Sequence, residues 1–175
     1  MYFDCDEFNC DEGDCDCGPD CTAGDVNGDA TVNVSDIVVL VNYILSGGAG
    51  TDGYECGDMN GDGVINVSDI VQVVNYILGG GTARLDSNAS QADVIVTNNS
   101  ISVEANGFVQ GVQLTLTHEE DFSIDLVDSY KADYKTEGNT TIVLVVSDGS
   151  TSVKDIAEIS GECSVISATI ATPFG

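Results

Sequence analysis

Residues 24–45 read GDVNGDATVNVSDIVVLVNYIL and residues 57–78 read GDMNGDGVINVSDIVQVVNYIL, so one pattern is written twice, with Asp58 and Asp69 thirty-three positions beyond Asp25 and Asp36. Each copy is an acidic loop followed by an apolar run. Counting Asp25 as position 1, side chains bearing oxygen fall at positions 1, 3, 5, 9 and 12: Asp25, Asn27, Asp29, Asn33 and Asp36 in the first copy, and Asp58, Asn60, Asp62, Asn66 and Asp69 in the second. A hard cation such as Ca²⁺ takes about six to eight oxygens, and a loop offering one at every second residue wraps around it. The backbone carbonyl at position 7, from Thr31 or Val64, supplies a further oxygen. Gly28, Gly61 and Gly63 allow the tight curl, and Val32 and Ile65 at position 8 tie each loop to a core.

Asp and Asn also favour turns and helix caps with no ion present. The recurrence of the whole spacing in a second copy favours the ion. The tandem D-x-N-x-D-x-x-x-N-x-S-D loop, each followed by one helix, resembles a type I dockerin over about residues 22–81. Dockerins are calcium-binding modules that dock onto cohesin domains, and the resemblance implies two calcium ions and two equivalent docking faces. Val34-Ser35 and Val67-Ser68 occupy loop positions 10 and 11, which the family uses for contact; both serines also suit helix N-capping beside Asp36 and Asp69.

Two departures from the family stand out. Ala30 occupies position 6, where glycine would relieve a left-handed backbone, so about 1 kcal/mol of strain is expected in the first loop and its site should bind calcium more weakly. The helices lack the Lys or Arg usual in a dockerin recognition helix. Instead Ile37–Val41 with Tyr43–Leu45, and Ile70, Val71, Val73, Val74 and Tyr76–Leu78, are apolar nearly all round. Such a helix is covered on more than one side, and two helices cover only one face of each other. Something further, inside the chain or outside it, must cover the rest.

The formal net charge of -26, with only four Lys and Arg in 175 residues, argues against nucleic acid and anionic membrane surfaces. No apolar run reaches transmembrane length. Seven cysteines together with a paired calcium motif point to an extracellular or cell-surface setting. The start, MYFDCDEF, has neither the basic region nor the apolar core of a signal peptide, which suggests a processed form.

The expected organisation is a multidomain α+β chain: a Cys/Asp-rich, disulfide-stapled segment (1–21), the dockerin-like module (22–81), a linker (82–91) and an antiparallel β-sandwich, cohesin-like or Ig-like (92–175). Five of the seven cysteines lie in the first segment, whose acidic side chains offer a possible third cation site. An odd count leaves at least one cysteine unpaired or bonded to another chain, and a bridge to Cys163 is one option. From Ala92 the pattern turns to period two, with strands expected near 93–97, 101–105, 109–117, 122–127, 132–135, 141–147 and 164–172. Val153–Ile159 reads as either a short helix or a strand edge. The run GFVQGVQLTLTHEEDFSIDL (107–126) is similar to strands of cohesin-like sandwiches.

No catalytic motif is present, and His118 reads as a surface imidazole in an acidic turn, so the chain is not expected to be an enzyme. Sequons at Asn88, Asn98 and Asn139 are possible glycan sites; Asn33 and Asn66 match too but are needed as ligands. Three functions are open: a secreted calcium-binding structural protein assembling head to tail with copies of itself into a filament or surface layer; an adaptor anchoring its sandwich to a separate cohesin-bearing scaffold or to glycan; and a fragment of a larger secreted enzyme.

Overall fold

A computed structural model describes residues 21–48, 50, 54–79 and 88–173. Apart from Cys21, the N-terminal segment and its expected third cation lie outside the described residues. Two helices, α1 (Val34–Leu45) and α2 (Val67–Ile77), precede eight strands: β1 (Ala92–Val96), β2 (Ser100–Ala105), β3 (Gly111–His118), β4 (Ser123–Leu126), β5 (Lys131–Glu137), β6 (Thr140–Val146), β7 (Asp155–Ser160) and β8 (Cys163–Ala171). The strands form two four-stranded antiparallel sheets, ordered β1-β2-β7-β4 and β5-β6-β3-β8.

Side-chain alternation decides where each layer sits, because successive strand residues point to opposite faces. Val112, Leu114 and Leu116 of β3 and Val143 and Val145 of β6 meet Ile101, Val103, Ile156 and Ile159 of the other sheet in a core between the sheets. The opposite face of β6, with Leu144 and Val146 buried and Ile142 partly so, joins Ile37, Leu40, Val41, Ile44, Ile70, Val71 and Val74 of the helices in a second core. The helices therefore lie across the outer face of the β5-β6-β3-β8 sheet, and the covering they require comes from the same chain.

Within Val153–Ile159, the residues from Asp155 onward belong to β7, which pairs with β2 on one side and β4 on the other. It is a strand inside its sheet, correcting both the helix reading and the edge reading: Ile156, Ala157 and Ile159 are buried in the core between the sheets, with a register shift against β2 at this point. His118 also differs from expectation. It is buried, stacked on Phe122 with ring centroids 4.3 Å apart, and its ring nitrogens contact the Glu119 carbonyl and the Thr141 hydroxyl, each at 2.8 Å. The acidic residues of the turn point outward while the imidazole turns in to satisfy buried polar groups.

Candidate metal centres

Each helix begins where its loop closes. Asn33 is the N-cap of α1: its Oδ1 accepts from the Ser35 N–H at 2.8 Å, and the Asp36 carboxylate accepts from the Asn33 N–H at 2.8 Å, making a reciprocal capping box. Asn66 and Asp69 repeat the arrangement at α2. The caps are thus the asparagines, and Ser35 and Ser68 supply N–H donors to them, which corrects the capping role expected of the serines. The other oxygen of Asp36 accepts from Val26 and Asn27, drawing the loop entrance to the helix start, and Asp69 does so with Met59 and Asn60.

Position 1 closes the front of each loop. The Asp25 carboxylate accepts from Asp29 and Ala30, and Asp58 accepts from Gly61, Asp62 and Gly63. Asn27 and Asn60 each accept from the position-5 N–H at 2.9 Å. Asp29 and Asp62 accept from the N–H groups of Thr31 and Val64, whose carbonyls receive the Asn33 and Asn66 amides. All twelve predicted positions thus lie within two closed loops of matching construction.

Ala30 has φ 67°, the positive-φ non-glycine among the described residues, whereas Gly63 at the same position of the second loop has φ 81°. The backbone shape demanded at position 6 is the same in both copies, so the methyl group of Ala30 is held in the left-handed region.

The donor chemistry fits a hard cation. Asp25, Asp36 and Asp69 are buried, and the two ion pairs among the described residues, Lys131–Asp133 and Lys135–Glu137, both lie on β5, away from the loops. Backbone N–H donors offset part of the cost of burying these aspartate carboxylates, and a cation is compatible with the negative charge that remains without a basic partner. Burial pushes the Asp69 carboxyl above the usual aspartate range, against the lowering effect of the N–H groups it accepts and with a further raise from Asp58. No three carboxylate, imidazole or thiolate groups converge among the described residues; a calcium loop of this kind instead mixes carboxylates with amide and carbonyl oxygens.

A disulfide between Cys21 and Cys56 links the approaches to the two loops, and the Gly24 N–H donates to the Cys56 carbonyl at 2.7 Å. Gly57 follows in the short 3₁₀ turn Glu55–Gly57, where a β-carbon would lie 2.6 Å from Leu40, so only glycine lets this connection cross α1. Cys163 carries a free thiol, pushed up in pKa by burial.

The sequence left open what the helices press against. Val67 and Val71 are fully buried and sit over Gly111 of β3, whose β-carbon, were there one, would lie 2.7 and 2.8 Å from their methyl groups. The Val67 N–H donates to Gln113 Oε1 at 3.1 Å, the Asn75 amide donates to the Pro173 carbonyl at 3.2 Å, and Gln110 donates to Asn75 Oδ1 at 2.8 Å. Val34, the counterpart of Val67, is 53% exposed, and Val38, the counterpart of Val71, is 44% exposed. The second copy of the contact positions is thus buried on the sandwich while the first is largely exposed. Gly111, Gln113, Gln110 and Asn75 were not anticipated. The signal that could have found their surface is IVLVV (142–146), an unbroken apolar run marking a strand covered on both faces.

Of the sequons, Asn98 is exposed on the β1–β2 turn, while the Asn139 amide donates to the His118 carbonyl at 2.7 Å and Asn88 forms a bridge with Phe108. Among the described residues no helix is long and apolar enough to cross a membrane.

Residues 23–78 match the family model of the Dockerin type I domain, and a second match covers residues 56–98. Comparison with curated proteins and with solved structures found no match.

Proposed function

The chain carries a type I dockerin module followed by two antiparallel sheets, and from that premise we propose a secreted, calcium-dependent structural protein that assembles with copies of itself into an extracellular filament or surface layer. Dockerin modules bind calcium and cohesin partners and occur in extracellular and cell-surface proteins. In this reading two ions are held, one by Asp25, Asn27, Asp29, Asn33, Asp36 and the Thr31 carbonyl, the other by Asp58, Asn60, Asp62, Asn66, Asp69 and the Val64 carbonyl. The ions set the helix directions, and the carboxylates and amides described above supply the cage. No catalytic step is assigned to the chain.

The reading starts from the seating of Val67 and Val71 on Gly111, a contact the structure makes within one chain. One chain holds both halves of a docking contact, joined through a segment that begins GGGTAR at Gly79. Made within a chain, the contact closes on itself; exchanged between neighbours, it is heterologous and propagates. The test is electron microscopy and sedimentation of the whole chain with calcium and with chelator. Calcium-dependent polymers that dissolve in chelator are expected, and monomers unaffected by chelator at high protein concentration would overturn the reading.

A second reading is favoured by one observation, the exposure of Val34 and Val38. That first-copy face repeats the residues that seat on the sandwich, so an adaptor that binds a separate cohesin-bearing scaffold has a surface free to do so. Monomers that capture a purified cohesin domain, and lose it when Val34 and Val38 become Asp, would establish this alternative. Glycans, where the source attaches them, fit best at the exposed Asn98.

A further inference from the structure

The two loops are nearly the same in sequence but unequal in surroundings. Directly after Asn66, at position 9 of the second loop, the Val67 N–H bonds to Gln113 of β3, and Val67 and Val71 are locked over Gly111. The Asp69 carboxylate at position 12 sits within this same first turn; it is fully buried, as is Asp36 in the first loop, so the difference between the copies lies at positions 10 and 14. The sandwich therefore grips the second loop at Val67, directly after the predicted ligand Asn66 and two residues before Asp69. α1 also packs on this sheet, through Ile37, Leu40, Val41 and Ile44, but the positions matching the grip on α2 do not share it: Val34 and Ser35 are exposed, and Asn42, the counterpart of Asn75, is exposed as well.

We propose that docking of α2 on the β5-β6-β3-β8 sheet selectively raises the calcium affinity of the second site, and that calcium in the second site, not the first, tightens this docking. The proposal rests on the reading that both loops bind calcium. It follows from two physical steps. A ligand cage whose backbone is already fixed loses less conformational freedom when the ion arrives. Coupling between two binding events is reciprocal, so whatever docking does for the second site, that site does for docking. The first site, strained at Ala30 and lacking a counterpart of the Val67–Gln113 hydrogen bond, then fills at higher calcium and empties without releasing α2. The chain thus carries a latch at one site and an independent response at the other.

Calcium titration of the full chain, followed by the amide resonances of Gly28 and Asp29 for the first site and Gly61 and Gly63 for the second, reads each site separately. Gly111→Leu places a side chain where Val67 and Val71 lie and lifts α2 from the sheet. Gln113→Ala removes the acceptor of the Val67 N–H without adding bulk under α2, keeping the test open if the larger change disturbs the sandwich. Thr117→Leu, at an exposed position of the same strand, is the control. The expected result is a loss of second-site affinity in Gly111→Leu of at least about fivefold, the low end of the range of roughly 5- to 150-fold for coupled sites. A smaller loss in the same direction is expected in Gln113→Ala, with less than about a twofold change at the first site in either variant. In the reciprocal arm, Asp58→Asn shifts the Val67 and Val71 methyl resonances toward those of Gly111→Leu, and Asp25→Asn leaves them in place.

Equal losses at both sites, or an unchanged second site in a Gly111→Leu protein whose Val71 methyls report undocking, would overturn the proposal while leaving the calcium reading intact. Binding at neither loop of the unaltered chain would overturn both.

Discussion

Ala30 offers the sharpest quantitative test of the loop chemistry, because the second copy supplies its own control. Ala30 holds φ 67° where Gly63 holds φ 81°. An L-residue in the left-handed region costs roughly 1–2 kcal/mol, and exchange for glycine gives back about 0.4–1 kcal/mol through the freer unfolded chain. The difference is about 1 kcal/mol in favour of Ala30→Gly, or roughly a fivefold gain, since about 1.4 kcal/mol is a factor of ten. The reverse change is equally clean: a β-carbon on Gly63 would have no atom within 4 Å, so Gly63→Ala adds backbone strain and no clash. Calorimetric calcium titration of the full chain, with site assignment by amide resonances, should show first-site affinity rising about fivefold in Ala30→Gly and second-site affinity falling by a similar factor in Gly63→Ala. The gain appears as affinity if the empty loop relaxes out of the left-handed shape, and as thermal stability if it does not, so both are measured. No change in either property for either variant would refute the strain argument.

Val71→Asp would bury an unpaired carboxylate against Leu144, Val146 and Ala171 and should undock or unfold the helical layer, at a cost of several kcal/mol, seen as a lower urea midpoint; Val38→Asp, at an exposed site, should cost under about 0.5 kcal/mol. Replacing Cys21 and Cys56 by Ser opens a loop with a sequence separation of 35 and should lower stability by roughly 3–4 kcal/mol in the chain-entropy account, measured by chelator-controlled thermal melts. In chelator, the raised Asp69 carboxyl keeps its proton to higher pH in the folded state than in the unfolded one. Its contribution to stability is therefore present below the ordinary aspartate range and lost as pH rises through the elevated folded value; Asp69→Asn should flatten that part of the profile. On the outer face of the β1-β2-β7-β4 sheet, Asp93 faces Glu104 and Asp125 faces Glu158, like charges that each cost about 0.2–1 kcal/mol when unscreened. The melting temperature should rise with potassium chloride, and less so in Asp93→Asn/Asp125→Asn.

The closed loops were legible because a calcium loop is a local device: its ligands lie within twelve consecutive positions, and the spacing itself describes a curl. The left-handed backbone at Ala30 was legible for the same reason, by comparison with Gly63. Seven strands were readable from period-two alternation, and β7 was not, because VKDIAEI mixes a short apolar spacing with charges that suit a helix as well. His118 was misplaced because sequence neighbours such as Glu119 and Asp121 say nothing about Phe122 and Thr141 closing around an imidazole.

The sequence by itself determined that two helices apolar nearly all round must find a cover, since the free energy of leaving them in water follows from composition and period alone. Which surface covers them was decided by the tertiary structure. Gly111 provides the flat place on β3, Gln113 the acceptor for Val67, and the second face of β6 the apolar floor, and these residues reach α2 only once β3, β6 and β8 have paired. The same sequence written twice thereby acquires two environments: both helices pack on the sheet, but Val67 and Val71 are seated on Gly111 while their counterparts Val34 and Val38 face solvent, because the flat place at Gly111 accepts one helix start.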